Sequence, residues 1–164
     1  MKNSEFLQQL VNQMYAVDDC PSLDEYGTKI FGRPINGSWK LFRYLARMAV
    51  PERWMWFPNE EYASYSPDDV PVPSFGTFAT FMLHEVTHGW CYFHKKPGQW
   101  NYPTGVDEEQ VCWDVSKLVC QELGITYDEA EANQSHEFHK LMGAGDMDGL
   151  EKLIEAMPAH HQIS

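Results

Sequence analysis

The chain has 164 residues, 43% of them hydrophobic and 14% aromatic, which is enough length and apolar content for one domain with a real core. The formal net charge is −12, from 24 acidic residues against 12 Lys plus Arg. Such a field repels phosphate backbones, so nucleic acid is not expected as a partner, and solubility is its plainest consequence.

The first helix is expected to begin after Asn3 or Ser4, because Phe6, Leu7, Leu10, Val11, Met14 and Tyr15 form one apolar stripe. Residues 18–21 end it. Gly27, Gly32 and Pro34 mark 22–36 as loop, with a short strand over Lys29–Phe31. Ser38 is placed to cap a second helix, whose buried side carries Trp39, Phe42, Leu45 and Met48, and Pro51 stops it. Arg53–Phe57, rich in aromatics, reads as another short strand. Residues 58–73, with four prolines, read as a long loop that can rim a cleft; Trp54 and Trp56 can line that cleft or serve as core.

Ser74 then caps a helix carrying His84-Glu85-Val86-Thr87-His88, which has the form H-E-x-x-H. Residues four apart share a helix face, so His84 and His88 can aim two imidazoles at one point. Glu85 lies one step round, where it can hold a water as general base. After the turn-rich stretch 97–103, Thr104 with Asp107 resembles a capping box for a helix from about Val106 to Leu123, closed by Gly124. Thr126 with Glu129 opens a helix toward Met142, Gly143 and Gly145 break it, and Asp146 caps a last helix through Leu150, Leu153, Ile154 and Met157. The expected fold is therefore mainly α, an α+β arrangement with at most a minor small sheet, in a single domain over 1–164.

The four cysteines, Cys20, Cys91, Cys112 and Cys120, contain no C-x-x-C pair, so a cysteine-rich zinc knuckle is not expected. Cys112 and Cys120 read as ordinary buried thiols. Met1–Leu10 lacks the apolar run of a signal peptide, and nowhere do 18 apolar residues run together, so no membrane partner and a reducing cytoplasm are expected.

A zinc enzyme usually adds a third protein ligand to two histidines and leaves one position for water. His94 lies six residues after His88, the spacing of the metzincins, but Cys91 stands where their glycine breaks the helix. On an unbroken helix His94 points away from the pair. Glu108 and Glu109 follow His88 by 20 and 21 residues, the span of a helix, a turn and a returning antiparallel helix. Glu108 shares a face with Val111 and Val115, Glu109 is adjacent to it, and spacing alone does not separate them.

His84–His88 followed by a Glu-led helix resembles the zincin-like metallopeptidases, in their gluzincin arrangement. The run Glu108-Glu109-Gln110-Val111-Cys112, then Leu118-Val119-Cys120-Gln121-Glu122-Leu123-Gly124-Ile125, is similar to the corresponding helix in plasmid antirestriction proteins of the ArdC kind. That resemblance covers roughly residues 78–125 and places the ligand-type glutamate on Glu109, with Glu108 and His94 in reserve; the family's second acid falls on Trp113. It implies a zincin-like helical core, Zn²⁺ held by His84, His88 and Glu109, and Glu85 as the base that takes a proton from water and passes it to the leaving amine of a protein or peptide substrate. Tyr102, Tyr127, His136 and His139 are candidates for the donor to the carbonyl oxygen, and Asp114 for orienting an imidazole; His160 and His161 look inert.

His88-Gly89-Trp90 and Trp113 also resemble the elongation factor P hydroxylases, which would imply Fe²⁺ in the same two-His, one-carboxylate set. A third expectation is an acidic binding protein without catalysis.

Overall fold

The computed structural model describes residues 2–32, 37–49, 72–95 and 105–156. Among them lie seven helices and no strand: α1 Asn3–Tyr15, α2 Pro21–Phe31, α3 Ser38–Met48, α4 Phe75–Lys95, α5 Glu108–Leu123, α6 Glu129–Ala144 and α7 Met147–Ala156. The chain is mainly α, as its periodicity indicates. Arg53–Phe57, the Pro-rich stretch to residue 71, Tyr102, Thr104, Met157, His160 and His161 lie outside the described residues.

The strand expected at Lys29–Phe31 is instead the last turn of α2. Pro21, taken as the end of the preceding segment, occupies the first turn of α2, where its missing N–H costs nothing. Gly27 is buried inside the helix, and Gly32 ends it in the left-handed region at φ 81°. Three caps also differ from expectation. Gly37 precedes α3, so Ser38 is its first residue and does not cap it. Asp107 caps α5 by accepting from the Gln110 N–H, and Asp128 caps α6 by accepting from the Glu131 N–H at 3.2 Å. In both, a carboxylate takes the position that sequence reading gave to Thr104 or Thr126; its charge suits the positive helix end. Gly143 lies within α6, and Gly145 ends it. Asp146 does cap α7, accepting from the Gly149 N–H at 2.9 Å.

The 21-residue α4 is the central element, about 31 Å long at 1.5 Å per residue. Its sequence is apolar on nearly every side, and Phe78, Met82, Leu83, Val86 and Trp90 are fully buried. Ser74 starts it as expected, its hydroxyl accepting from the Thr77 N–H at 3.1 Å. α5 packs most extensively against α4, α1 and α3 cover its other sides, and α2 lies on α5 and α3. Leu10, Met14, Leu23, Phe42, Leu45 and Val115 complete the buried centre, each large aliphatic or aromatic group contributing on the order of 1.5–3 kcal/mol. Met48 is exposed and Tyr15 sits at the rim. α6 contributes only Ala132 as a buried residue and packs chiefly with α7.

The start of α4 is tied to the α5–α6 connection by a polar network. Thr80 Oγ1 donates to the Gly76 carbonyl at 2.7 Å and accepts from the Asp128 N–H at 2.9 Å. Thr77 Oγ1 donates to Asp128, and Ser116 Oγ donates to the Thr80 carbonyl at 2.6 Å. These bonds fix the register of α5 along α4, and with it the site one to two turns further along. No helix among the described residues is long and apolar enough to cross a membrane.

Candidate metal centre

The antiparallel seat of α5 on α4 carries the first residues of α5 to the second half of α4. His84 is 3% exposed, held from one side by the Trp113 ring at 3.8 Å between centroids and 32°. His88 is half-buried beside it, the two imidazoles 4.9 Å apart and at 86° to each other. The i, i+4 spacing therefore does bring both rings together.

The two glutamates take different places. Glu109 spans the pair: its Oε1 lies 2.9 Å from His88 Nε2 and its Oε2 3.2 Å from His84 Nε2. Oε2 is buried, yet it accepts no aligned hydrogen bond. Two ligand atoms bonded to one ion at 2.0–2.2 Å stand about 2.9 Å apart at a right angle and about 3.4 Å apart at a tetrahedral angle. The observed separations fall in that interval. Each carboxylate oxygen thus faces one imidazole nitrogen, and Glu109 bridges the two rings.

Glu108 reaches the far side of the same histidine. Its Oε2 lies 2.8 Å from His88 Nδ1, and Lys95 pairs with its other oxygen. A carboxylate on Nδ1 fixes the ring's orientation and leaves Nε2 as the metal-facing nitrogen. Helix register thus separates the two acids that spacing left together. Glu109 faces both imidazoles, and Glu108 supports one of them from behind.

Ionisation follows these contacts. Burial pushes His84 down to about 4, against the pull of Glu109. Burial also lowers His88, but Glu108, Glu109 and Glu85 outweigh it and lift the ring to about 10. Burial raises Glu109, yet the two imidazoles hold it well below the usual carboxylate range; Glu108 is lowered in the same way by His88 and Lys95. Glu85 is pushed up to about 7, chiefly by burial, with His88 opposing and Glu109 reinforcing the shift.

His94 sits elsewhere. α4 runs unbroken past Cys91 to Lys95, and His94 packs on Trp90 at 4.9 Å and Phe31 at 5.9 Å. Asp114 accepts from the Tyr26 hydroxyl at 2.8 Å and from Gln110 at 2.9 Å, which ties α2 to α5 and gives it no role on an imidazole. Tyr127 packs against the core, His136 is half-buried, and His139 is exposed but near enough for its charge to bear on His84.

Sequence reasoning missed Cys112. With His84 and His88 it forms a cluster whose ligand atoms all lie within 4.8 Å of one another, a set that can hold a metal ion. The available signal was its spacing: Cys112 follows Glu109 by three residues, so both belong to one face of α5. No family model, no curated protein and no solved structure matches this chain.

Proposed function

We propose that the protein is a zinc-dependent hydrolase of peptide bonds, a metallopeptidase whose metal is held by His84, His88 and Glu109. The observation that carries this reading is the Glu109 carboxylate lying 2.9 and 3.2 Å from the two Nε2 atoms at ligand-to-ligand separations. The Glu108 carboxylate behind His88 supports it, because a metal-bound imidazole characteristically passes its other N–H to an acid. When bound, the ion would polarise the substrate carbonyl and lower the pKa of a coordinated water toward about 7.

The remaining work falls to the chain's own side chains. Glu85, next to His84 and half-buried, would take the proton from the attacking water and deliver it to the leaving amine. Trp113 covers the His84 ring and keeps bulk water from that side. The substrate is a protein or peptide. The four cysteines are free and buried, in keeping with a reducing, cytoplasmic setting.

Cleavage of a mixed peptide library, read by mass spectrometry, tests the activity. The zinc-loaded protein should produce new termini, while the chelated protein and Glu85→Gln should not. Cleavage that persists undiminished in Glu85→Gln would remove Glu85 from the mechanism. The same two-His, one-carboxylate set also suits Fe²⁺ in an oxygen-dependent hydroxylase. Elemental analysis of the purified protein, with oxygen consumption, separates the two readings.

A further inference from the structure

The cluster at the α4–α5 seam contains one more donor than a three-ligand hydrolytic site requires. Cys112 is fully buried, and its Sγ lies within 4.8 Å of ring nitrogens of both histidines. Glu109 approaches the same pair from the partly exposed rim, one turn earlier on α5. The pair is therefore flanked by a carboxylate at the mouth and a thiol on the buried side. At a tetrahedral angle, a sulfur bonded at about 2.3 Å and a nitrogen bonded at about 2.0–2.1 Å stand about 3.6 Å apart.

The other thiol nearby, Cys91, contacts Cys112 but is not among the side chains, His84, His88 and Cys112, whose ligand atoms lie within 4.8 Å of one another. Glu109 is outside that set too, and joins it through its contacts of 2.9 and 3.2 Å to the two Nε2 atoms.

We propose that Cys112 is a fourth ligand, so that the metal-loaded resting site is a closed set of His84, His88, Glu109 and Cys112. This rests on the reading that the site holds a metal. The thiol releases its proton to solvent as the sulfur–metal bond forms, and no redox step is involved. With two donors from each helix, all four tetrahedral positions are filled, and a water gains access only when Glu109 or Cys112 lets go. Turnover then requires that water or substrate displace one donor on α5, Glu109 or Cys112. A soft thiolate in the set also favours zinc over iron.

Cobalt(II), an absorbing stand-in for zinc, tests this directly. The full chain, stripped with chelator and titrated with Co²⁺, should develop a near-ultraviolet thiolate-to-cobalt charge-transfer band along with visible d–d absorption. Cys112→Ser should lose the former and retain the latter, whereas Cys91→Ser and Cys120→Ser should keep both. Should Cys112→Ser fail to fold, by circular dichroism, the variant with Cys20, Cys91 and Cys120 all changed to Ala decides the matter, because the band must survive with Cys112 as the sole thiol. Cobalt bound without a thiolate band, or a band that survives Cys112→Ser, overturns the fourth ligand and leaves the metal centre standing. No cobalt bound at all overturns both.

Discussion

Acid should unfold this protein partly through one histidine outside the candidate site. His94 is 8% exposed, packed between Phe31 and Trp90, and burial lowers it from its ordinary value of 6.5 to about 4. The folded state thus resists a proton that the unfolded state accepts. Above pH 6.5 neither state is charged there, so His94 costs nothing. As pH falls from 6.5 toward 4 the unfolded chain gains the proton first, and stability declines. The gap of about 2.5 pH units corresponds to about 3.4 kcal/mol when fully developed, of which about 2 kcal/mol is reached by pH 5. The assay is urea unfolding at pH 7.5 and pH 5, with chelator present throughout, for wild type and His94→Leu. His84 is lowered as well and contributes a loss of the same sign in both proteins, so the comparison isolates His94. Wild type should lose about 2 kcal/mol more than the variant between the two pH values. An equal loss in both proteins would refute the reasoning, by showing that His94 accepts its proton in the folded state at ordinary cost.

Three further outcomes follow from particular contacts. A Cβ on Gly76 would run into the Thr126 carbonyl oxygen, so Gly76→Ala should destabilise by about 1–3 kcal/mol and lower the thermal midpoint by several degrees in a calorimetric scan. Ser116→Ala breaks a buried 2.6 Å bond to the Thr80 carbonyl and should cost about 1–3 kcal/mol in urea unfolding. Glu108→Gln keeps the size of the side chain but weakens the support of His88 Nδ1; competition with a chromophoric chelator should show zinc affinity reduced by about 10–100-fold.

The elements that sequence reading located well are those whose signal is local. α1 carries a regular apolar stripe, α4 is a long run apolar on nearly every side, and Ser74, Gly124 and Asp146 sit where capping chemistry needs them. α2 was hidden because Gly27 and Gly32 count as breakers on propensity alone, whereas burial accommodates Gly27 and only Gly32 ends the helix. The caps of α5 and α6 were misassigned because each connection offers a threonine and an aspartate three or two residues apart, and propensity does not choose between them.

At the candidate site, the convergence of His84 and His88 follows from spacing within one helix. The separate placements of Glu108 and Glu109 depend on the register of α5 along α4. That register is set by Ser116 on the Thr80 carbonyl and by the Asp128 network, contacts between residues 36 and 48 positions apart that no local pattern records. Cys112 escaped notice for a related reason. Its partners are on another helix, and the absence of a C-x-x-C pair directed attention to histidines and acids.

Everything functional depends on the two imidazoles and Glu109 sharing one cation. Native mass spectrometry of chelator-stripped protein titrated with Zn²⁺ measures this without reference to any substrate. One tightly held zinc per chain is predicted, lost from a folded His84→Ala/His88→Ala double variant and weakened in Glu109→Gln. Zinc that fails to bind the wild-type chain, or that binds the double variant equally well, would contradict the metal centre itself.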